Sequence, residues 1–506
     1  MKKRILSLLL SLILASLSFS CSKSEENNAQ TIAGDNTDDS VGTTENSQAE
    51  ETEPVDSLEA RQLIDDELGK KSYEGAVFNT LSCNENIYDT SYYGEEIGNP
   101  VHDAVYYRDR DVEERFDIKF NHNMVMWNEH AALVTNSILA DTDEYQLYLG
   151  QAISASSMVP NDLFLNWKDI PNIGYEKPWY NKNSNDALTI NNKNYILVGS
   201  MSISCLGYTY CMFMNLKEAN NLGLSSIYET VNSGNWTYDT LYNYTDTYYV
   251  DTNGDSAMSD GDFYSYATRN GDIPTFMWAF EADIIDINDD GTFEIKFGDE
   301  RTVSVVEKVY ALVSNNGTSM NDNGETYTGG VLFNGGMQFS RGQSLISTGF
   351  VKDAISPAYL DMEDPYAIIP YPKYDEAQQE YHTIADGSFA VLCAPKTVND
   401  TEMLGTIVES CNAGAYKNIE PTYYDTALKF RGARDKESVD MLDLLLNSRI
   451  LDFAYLHDGF QGYGLGLGIQ SFITSSQDVA SFVAKTISQV TNYYESVIDY
   501  YFDIEE

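Results

Sequence analysis

The stretch PVHDAVYYRDRDVEERFDIKF, residues 100–120, combines a helical pattern with a strand pattern. Apolar residues from Val101 to Phe116 recur at helical spacing, and charged residues four positions apart occupy the remaining surface. Residues 117–120 then follow without a break as a short segment that favours a strand. The stretch therefore predicts a helix that leads directly into a strand.

The same alternation continues on both sides of this stretch. We predict strands over 73–81, 145–149 and 210–215, a turn followed by a strand over 191–198, and helices over 131–140, 216–221, 303–315, 407–416, 438–447 and 479–501. The turn at Asp289, Asp290 and Gly291 predicts a hairpin, and Thr237 is a suitable N-cap for a helix. Strands that alternate with helices are typical of a mostly parallel α/β sheet, which binds ligands at the carboxyl ends of its strands.

The first 21 residues resemble a bacterial lipoprotein signal. A basic start at residues 2–4 precedes a short apolar run over residues 5–17, and small residues precede Cys21. The favoured Leu lies one place early, with Ser18 where an apolar residue is usual. We interpret residues 1–20 as a signal peptide and Cys21 as the lipidated N-terminus of the mature chain. The alternative is ordinary cleavage of the signal peptide near Cys21, which gives a freely secreted protein without a lipid anchor.

Residues 21–71 are rich in Glu, Asp, Asn, Thr and Ser and contain almost no aromatic residues. Such a segment cannot bury enough apolar surface to offset the entropy of ordering. We predict an acidic, disordered tether. Together with Cys21, it predicts an extracytoplasmic protein that is lipid-anchored to the cell membrane.

Composition limits the classes of partner. The chain has 31 basic and 78 acidic residues, a formal net charge of −47, which disfavours nucleic acid and electrostatic docking to anionic lipid. The rest of the chain, residues 72–506, is too long for one small core and predicts two lobes. Five cysteines remain apart from Cys21, and an odd number does not indicate a disulfide framework. Cys205 and Cys211 either form a disulfide bond or remain buried free thiols.

Several segments resemble, in order, the extracellular solute-binding proteins of family 1, the carbohydrate receptors of ABC importers. The resemblance covers about residues 73–460. It rests on DAVYYRDRDVEERF (103–116), NYILVG (194–199), MFMNLKEANNLG (212–223), GNWTYDTL (234–241), FNGGMQF (333–339), IPYPKY (369–374) and APKTVND (394–400).

The resemblance implies a two-lobed, periplasmic-binding-protein-like (type II) α/β fold with a hinge and a central ligand cleft. We expect lobe one over 72–194 plus 381–412, and lobe two over 195–380 plus 413–506. It also implies that the protein captures a sugar or oligosaccharide by hinge closure and delivers it to the permease subunits of an ABC importer.

Candidate ligand-binding residues follow from the resemblance and from strand ends. Trp278, with Phe276 as the alternate ring, belongs to a segment that lines the cleft in sugar-binding relatives, although core packing also explains both. Gln151 and Ser154 follow a strand of lobe one. Asn86 and Asp89 lie in the first strand-to-helix loop, where turn capping is the alternative role. Phe350 lies in a segment that resembles a cleft-lining loop.

A calcium loop is the one metal site that the sequence suggests. Asp251, Asn253, Asp255 and Asp262 stand at positions 1, 3, 5 and 12 of an EF-hand-like loop. Ser256 replaces the turn glycine, and Asp replaces the bidentate Glu. A structural Ca²⁺ and a plain acidic loop without metal are the two alternatives here, and we expect no other cofactor.

Two other functions remain alternatives. A secreted glycoside hydrolase needs paired carboxylates across a cleft, and Glu281 and Asp283 are candidates only because acidic residues are abundant. The second alternative is a glycan-binding surface lipoprotein that does not serve transport. We expect a binding protein rather than an enzyme.

Overall fold

The computed structural model describes residues 58–83, 96, 98, 100–246, 248–320, 323–327, 330–423, 436–457 and 478–502. Three of the predicted functional residues, Cys21, Asn86 and Asp89, lie outside the described residues.

The strands are β1 Ala76–Cys83, β2 Ile118–Val125, β3 Leu147–Gln151, β4 Tyr210–Asn215, β5 Tyr249–Val250, β6 Phe263–Thr268, β7 Ile285–Ile287, β8 Phe293–Ile295, β9 Thr318–Met320, β10 Gly324–Tyr327, β11 Gly330–Phe333, β12 Ser344–Phe350, β13 Tyr366–Ile369, β14 Thr383–Ile384, β15 Ala390–Cys393 and β16 Arg449–Ile450.

The α-helices are α1 Leu58–Leu63, α2 Pro100–Phe116, α3 His130–Leu139, α4 Ala152–Met158, α5 Lys182–Ala187, α6 Ser204–Gly207, α7 Leu216–Asn221, α8 Ile227–Asn232, α9 Tyr238–Thr245, α10 Thr275–Ala279, α11 Glu300–Val313, α12 Asn334–Ser340, α13 Pro357–Asp361, α14 Thr401–Gly414, α15 Lys436–Asn447, α16 Phe453–Leu456 and α17 Val479–Phe502.

The first sheet has the order β15-β3-β1-β2. Strand β1 runs parallel to β2 and β3, whereas β15 returns from late in the sequence and pairs antiparallel with β3. The apolar spacing in α2 has its expected effect, since Val112 and Phe116 are buried in the same core cluster as Phe78 of β1. The predicted helix and the strand that follows it are therefore confirmed.

The second sheet has the order β13-β4-β12-β6-β5, with β9 beside β6. Its central strand β12 runs antiparallel to β4 and parallel to β6. The expectation of a mostly parallel sheet is therefore wrong for this half of the molecule, because β4 pairs with two antiparallel neighbours, β12 and β13.

The chain passes between the two sheets along two adjacent segments. Leu197 forms a bridge with Leu392, and Thr209 forms one with Ala385. Of the turn and strand predicted over 191–198, the turn forms between Ile190 and Lys193. The strand is reduced to the single bridge at Leu197, because side chains take the neighbouring hydrogen bonds. The Asn185 amide donates to the Val198 carbonyl at 2.7 Å and accepts from the Val198 N–H at 3.0 Å. At Val198 a side-chain amide thus takes the place of a neighbouring strand.

Residues 58–71, which we expected within the tether, contact the folded body. Arg115 of α2 binds Asp66 through two N–H groups at 2.5 and 2.8 Å, and Arg61 donates to the Tyr416 carbonyl. Residues 58–71 therefore belong to the folded body rather than to the tether. At the other predicted boundary, residue 412 falls inside α14, which continues as a π-helix over Ala415–Ile419 against α2.

Several local predictions are confirmed. The Thr237 side chain accepts from the Thr240 N–H and caps α9, and β7 pairs antiparallel with β8 as the predicted hairpin. Cys205 and Cys211 are both buried free thiols, so the structure favours the second alternative for these residues. Among the described helices, none combines the length and the apolar composition that crossing a membrane requires.

Candidate functional site

The carboxyl end of β3 meets residues 385–392, which pass between the two sheets and are called the passing segment below. Helix α4 begins directly after β3, and its first N–H groups have no acceptor within the helix. The Ala152 N–H donates to the Phe389 carbonyl at 2.8 Å, and the Ile153 N–H donates to the Gly387 carbonyl at 3.1 Å. The passing segment therefore caps a helix of the first sheet.

Asp386 connects this segment to the second sheet. Its backbone N–H donates to the Tyr208 carbonyl at 2.9 Å, and its carboxylate accepts from the Tyr210 hydroxyl at 2.7 Å. The same carboxylate lies 4.0 Å from an Arg269 Nη atom, and 21% of its side chain is exposed. Asp386 is therefore fixed by neighbours and still accessible to a ligand.

Arg269 lies between an acid and two aromatic rings. Its Nε–H donates to Asp272 at 2.6 Å, and its guanidinium lies 3.8 Å from the Phe333 ring centroid and 5.1 Å from that of Phe350. Burial raises the pKa of Asp272, and the positive charge of Arg269 opposes this shift. The Thr348 hydroxyl also donates to Asp272 at 2.6 Å and holds this carboxylate in place. Because Asp272 accepts from Arg269, it in turn fixes the orientation of the Arg269 guanidinium.

A second group of contacts places Trp278 next to the same segment. The Tyr455 ring meets the Trp278 ring edge-on at 4.9 Å, and its hydroxyl accepts from the Gly387 N–H at 3.0 Å. Burial raises the pKa of Asp452 to about 6, while the hydrogen bond from the Tyr455 N–H favours the ionised form. Trp278 is only 4% exposed, so its ring is a wall of the cluster rather than an open platform.

Phe350 joins the cluster from the end of β12. Its ring lies 4.9 Å from that of Tyr210 and 5.6 Å from that of Tyr208. The Asp353 carboxylate accepts from the Phe350 N–H at 2.8 Å, and burial raises the pKa of this carboxyl to about 6. We name the set Tyr210, Arg269, Trp278, Phe350, Asp386 and Tyr455 the inter-sheet cluster.

The remaining predicted residues divide into two groups. Gln151 is buried beside Ala390 of β15, and Ser154 is half-buried on α4, one residue beyond Ile153. Phe276 lies in the core, 1% exposed and packed against Phe280 and Tyr371. The structure thus places Trp278 and Phe350 in the inter-sheet cluster and Phe276 outside it. Gln151 and Ser154 lie at the start of α4, on either side of Ala152 and Ile153, and their ligand contacts stay predictions.

Sequence reasoning missed the polar members of the cluster. Arg269 follows directly after β6, and Asp386 and Gly387 form a dipeptide that marks turns. Both were visible signals, since strand ends and turns were already the places where we expected ligand contacts. Tyr210 and Tyr455 had no such signal among the 37 tyrosines of the chain.

The predicted calcium loop is held by its own hydrogen bonds. Asp251 accepts from the N–H groups of Gly254 and Ser256, and Asp262 accepts from the Tyr249 hydroxyl and the Thr252 N–H. Asp255 accepts from the Ala257 N–H. The described part of the chain holds no cluster of three or more His, Cys, Asp or Glu side chains arranged around a metal position. The calcium site stays a prediction.

The carboxylates considered for hydrolysis, Glu281 and Asp283, lie two residues apart on the segment that follows α10. Glu281 lies 3.1 Å from His382, and its side chain is 45% exposed. Burial is the main cause that raises the pKa of Asp283. The inter-sheet cluster instead presents fixed donors and acceptors, which suits the binding of a polar solute.

Comparison with solved structures identifies the fold. An ABC transporter solute-binding protein of Agrobacterium radiobacter K84, bound to ribitol, superposes with a TM-score of 0.52 at 10% identity, over 83% of this chain and 100% of that chain. An ABC substrate-binding protein of Listeria monocytogenes in complex with cycloalternan superposes with a TM-score of 0.51 at 10% identity, over 86% of this chain and 100% of that chain.

A cyclo/maltodextrin-binding protein complexed with maltotetraose gives a TM-score of 0.52 at 12% identity, over 84% of this chain and 97% of that chain. No protein-family model matches the chain, and no curated protein matches it. The two-lobed, periplasmic-binding-protein-like α/β fold predicted from the sequence is confirmed.

Proposed function

We propose that this protein is the substrate-binding component of an ABC importer, which captures a sugar or oligosaccharide between its two lobes by hinge closure. The observation that carries the proposal is the fold, which similar proteins of Agrobacterium and Listeria use to bind ribitol and cycloalternan. At this level of identity the likeness concerns the fold, so the ligand of this chain has to be argued from its own residues.

The inter-sheet cluster supports a polyhydroxylated ligand. Arg269 offers N–H donors in a fixed plane, and the Asp386 carboxylate lies 4.0 Å away as an acceptor. A donor and an acceptor at this separation match a pair of neighbouring hydroxyl groups, each of which both donates and accepts. Trp278 and Phe350 lie beside these groups and are almost fully buried in this structure. We propose that hinge opening exposes their rings, which complement the apolar C–H faces of a sugar ring.

Hinge closure is supported by the way that the two sheets are connected. The segments around Leu197 and Leu392 and around Thr209 and Ala385 run side by side between the sheets. Rotation at a few residues of such segments opens and closes a cleft, and a ligand that touches both sides favours the closed state. We propose that the closed form delivers the ligand to the permease subunits of the importer.

The proposed location is extracytoplasmic, with Cys21 as the lipid anchor and the acidic segment after it as a tether. This part of the proposal rests on the sequence pattern of residues 1–21. A lipid anchor keeps a receptor close to a membrane importer while the folded body remains in the aqueous phase.

The experiment is a thermal-shift screen of mono- and oligosaccharides, with peptides and polyamines as contrasting solutes. A ligand that binds only the folded state stabilises it by about 2.7 kcal/mol at a concentration of 100 Kd. Asp386→Asn should abolish the shift caused by a sugar hit, because it weakens the acceptor while the carbonyl still accepts from Tyr210. Lys217→Gln is the matched control, since Lys217 is exposed and pairs with Asp364.

Stabilisation by peptides or polyamines and by none of the sugars would overturn the carbohydrate ligand. Hydrolysis of an oligosaccharide by the wild type, lost in Glu281→Gln, would favour the glycoside hydrolase instead. We expect no hydrolysis, because a binding protein releases its ligand unchanged.

A further inference from the structure

The inter-sheet cluster holds one guanidinium between two carboxylates. The Arg269 Nε–H donates to Asp272 at 2.6 Å, whereas an Nη atom lies 4.0 Å from Asp386. Both oxygens of Asp272 accept, one from Arg269 and the other from the Thr348 hydroxyl, which is the hydrogen-bonding pattern of an ionised carboxylate. Asp272 therefore compensates the positive charge of Arg269, and the negative charge of Asp386 remains.

Asp386 holds this charge where a ligand can reach it. One carboxylate oxygen accepts from the Tyr210 hydroxyl at 2.7 Å, the other accepts from the Ser388 N–H at 3.0 Å, and both donors are neutral. The Asp386 side chain is 21% exposed. Since an ionised carboxylate has about four acceptor positions, Asp386 can accept further hydrogen bonds from a ligand. A cationic donor would in addition compensate its charge.

A second cation, Lys352, lies beside the cluster without reversing this balance. Its ammonium group lies 4.0 Å from the ring centroid of Tyr208 and 5.6 Å from that of Phe350. The positive charge of Lys352 acts on the buried carboxylate of Asp353 and favours the ionised form of that group. Lys352 and Asp353 therefore form a second compensated pair.

A further carboxylate adjoins the cluster on the side of Tyr455. Asp452 accepts from the Tyr455 N–H at 2.7 Å, and the negative charge of Asp283 acts on Asp452. These contacts set two cations against four carboxylates, namely Arg269 and Lys352 against Asp272, Asp353, Asp386 and Asp452. Such an environment attracts a cationic ligand and repels an anionic one.

We propose that the inter-sheet cluster selects a sugar that carries an ammonium group, held by Asp386, over the neutral sugar of the same shape, and that it excludes sugar acids. The inference rests on the proposed function, because it specifies the class of sugar that this site takes. A ligand carboxylate would meet Asp386 as a like charge, whereas a ligand ammonium would form a charge-assisted hydrogen bond at the same place. Aromatic faces favour cations as well, as the positions of Arg269 over Phe333 and of Lys352 over Tyr208 show within this site.

The experiment compares three forms of one sugar by calorimetry on the full chain. Glucose, galactose and mannose are each measured beside the amino sugar and the uronic acid of the same configuration. At about pH 7 most of the amino group is protonated, since its pKa lies near that of an α-amino group, about 7.7–8.0. In at least one series we expect the amino sugar to bind at least about 5-fold more tightly than the neutral sugar, the effect of adding a charge to one hydrogen bond, and the uronic acid to bind more weakly. High salt should reduce the preference, because it screens charges.

Two variants that leave Asp386 intact should shift this preference in opposite directions. Asp452→Asn removes a negative charge while the amide still caps α16, so the preference for the amino sugar should decrease. Lys352→Gln removes a positive charge, so the preference should increase. Glu114→Gln is the matched control, because Glu114 is exposed on α2, which contributes no residue to the cluster. A structural defect alone would weaken the binding of all three forms alike and leave the preference unchanged.

Amino sugars that bind no more tightly than the neutral sugars, or uronic acids that bind as tightly as these, would overturn the inference and leave sugar capture in place. A preference that neither variant changes would also overturn it, since the ammonium group would then be bound elsewhere. Binding by none of these sugars would overturn the inference too, whereas the proposed function is decided by the wider thermal-shift screen.

Discussion

Gly387 lies so close to Ile153 that a Cβ atom added to the glycine would overlap the end of the isoleucine side chain. The Gly387 carbonyl accepts from the Ile153 N–H, and its own N–H donates to Tyr455. One glycine thus connects the start of α4, the passing segment and α16. Only glycine fits at position 387, because any side chain there would collide with Ile153.

Gly387→Ala should therefore destabilise the protein. We expect a loss of about 1–3 kcal/mol in the free energy of unfolding, because an extra methyl group forces packed neighbours apart. Urea unfolding measures the loss. Gly261→Ala is the control, since a Cβ there would make an ordinary contact of 3.5 Å with Asn253. Equal stability of Gly387→Ala and the wild type would contradict the close approach.

Tyr210→Phe removes the hydroxyl that holds Asp386. We expect the free energy of unfolding to fall by about 1.5–3 kcal/mol, the range for hydrogen bonds to charged groups. Sugar affinity should fall as well, because the Asp386 carboxylate loses its fixed position. Calorimetry with the sugar hit and urea unfolding provide the two readouts. Tyr107→Phe, an exposed tyrosine that donates to Glu96, should change neither value appreciably.

Asp353 predicts a specific dependence of stability on pH. Burial raises its pKa from 3.8 to about 6 in the folded state, so between these values the folded state holds a proton that the unfolded state has released. The raised pKa of Asp353 therefore contributes to the free energy of unfolding. This contribution, at most about 3 kcal/mol, is fully present below about pH 4 and is lost as the pH rises through about 6.

Asp353→Asn should remove this dependence, because an amide carries no titrating proton and still accepts from the Phe350 N–H. The stability of the variant relative to the wild type should therefore increase from pH 4 to pH 7. Urea unfolding across this interval measures the change. Asp361→Asn, at an exposed position on α13, serves as the control. A constant difference between Asp353→Asn and the wild type would rule out the raised pKa.

Asp262→Ala should lower the melting temperature, because the fully buried carboxylate accepts from Tyr249, Thr252 and Ser259. We expect the same decrease in excess Ca²⁺ and in a chelator, since these bonds close the loop without a metal. A melting temperature of the wild type that rises with Ca²⁺, and does so only with Asp262 intact, would instead favour the predicted calcium site.

Cys21→Ala should release the protein from the membrane. The lipobox-like pattern makes Cys21 the acceptor of the lipid, so the variant should appear in the soluble fraction and incorporate no labelled fatty acid. Cell fractionation and metabolic labelling measure both effects. Cys83→Ala is the control, because Cys83 is a buried thiol at the end of β1. A Cys21→Ala protein that remained membrane-bound would contradict lipid anchoring.

The local elements were predictable because their signals lie within a few residues of one another. The apolar spacing of α2, the Thr237 cap and the turn between β7 and β8 each depend on neighbours in sequence. The order of these segments also carried the resemblance that predicted the two-lobed fold. Segment 191–198 shows where local reasoning fails, since its β-like composition could not reveal that Asn185 would take its hydrogen bonds.

The sequence by itself determined the helices of ten residues or more, the strands β1 to β4 with the β7–β8 hairpin, the fold class and the strand ends at which a ligand site was expected. Only the tertiary structure decided which side chains meet there. Asp386 and Tyr210 are 176 residues apart in sequence, and no local period connects them. Phe276 and Trp278 look equivalent in sequence and both are buried, yet one packs against Tyr371 and the other against Tyr455. Such residues meet only because the chain crosses between the two sheets, and this crossing depends on the whole fold. Neither of the two sequence segments alone therefore predicts the contact.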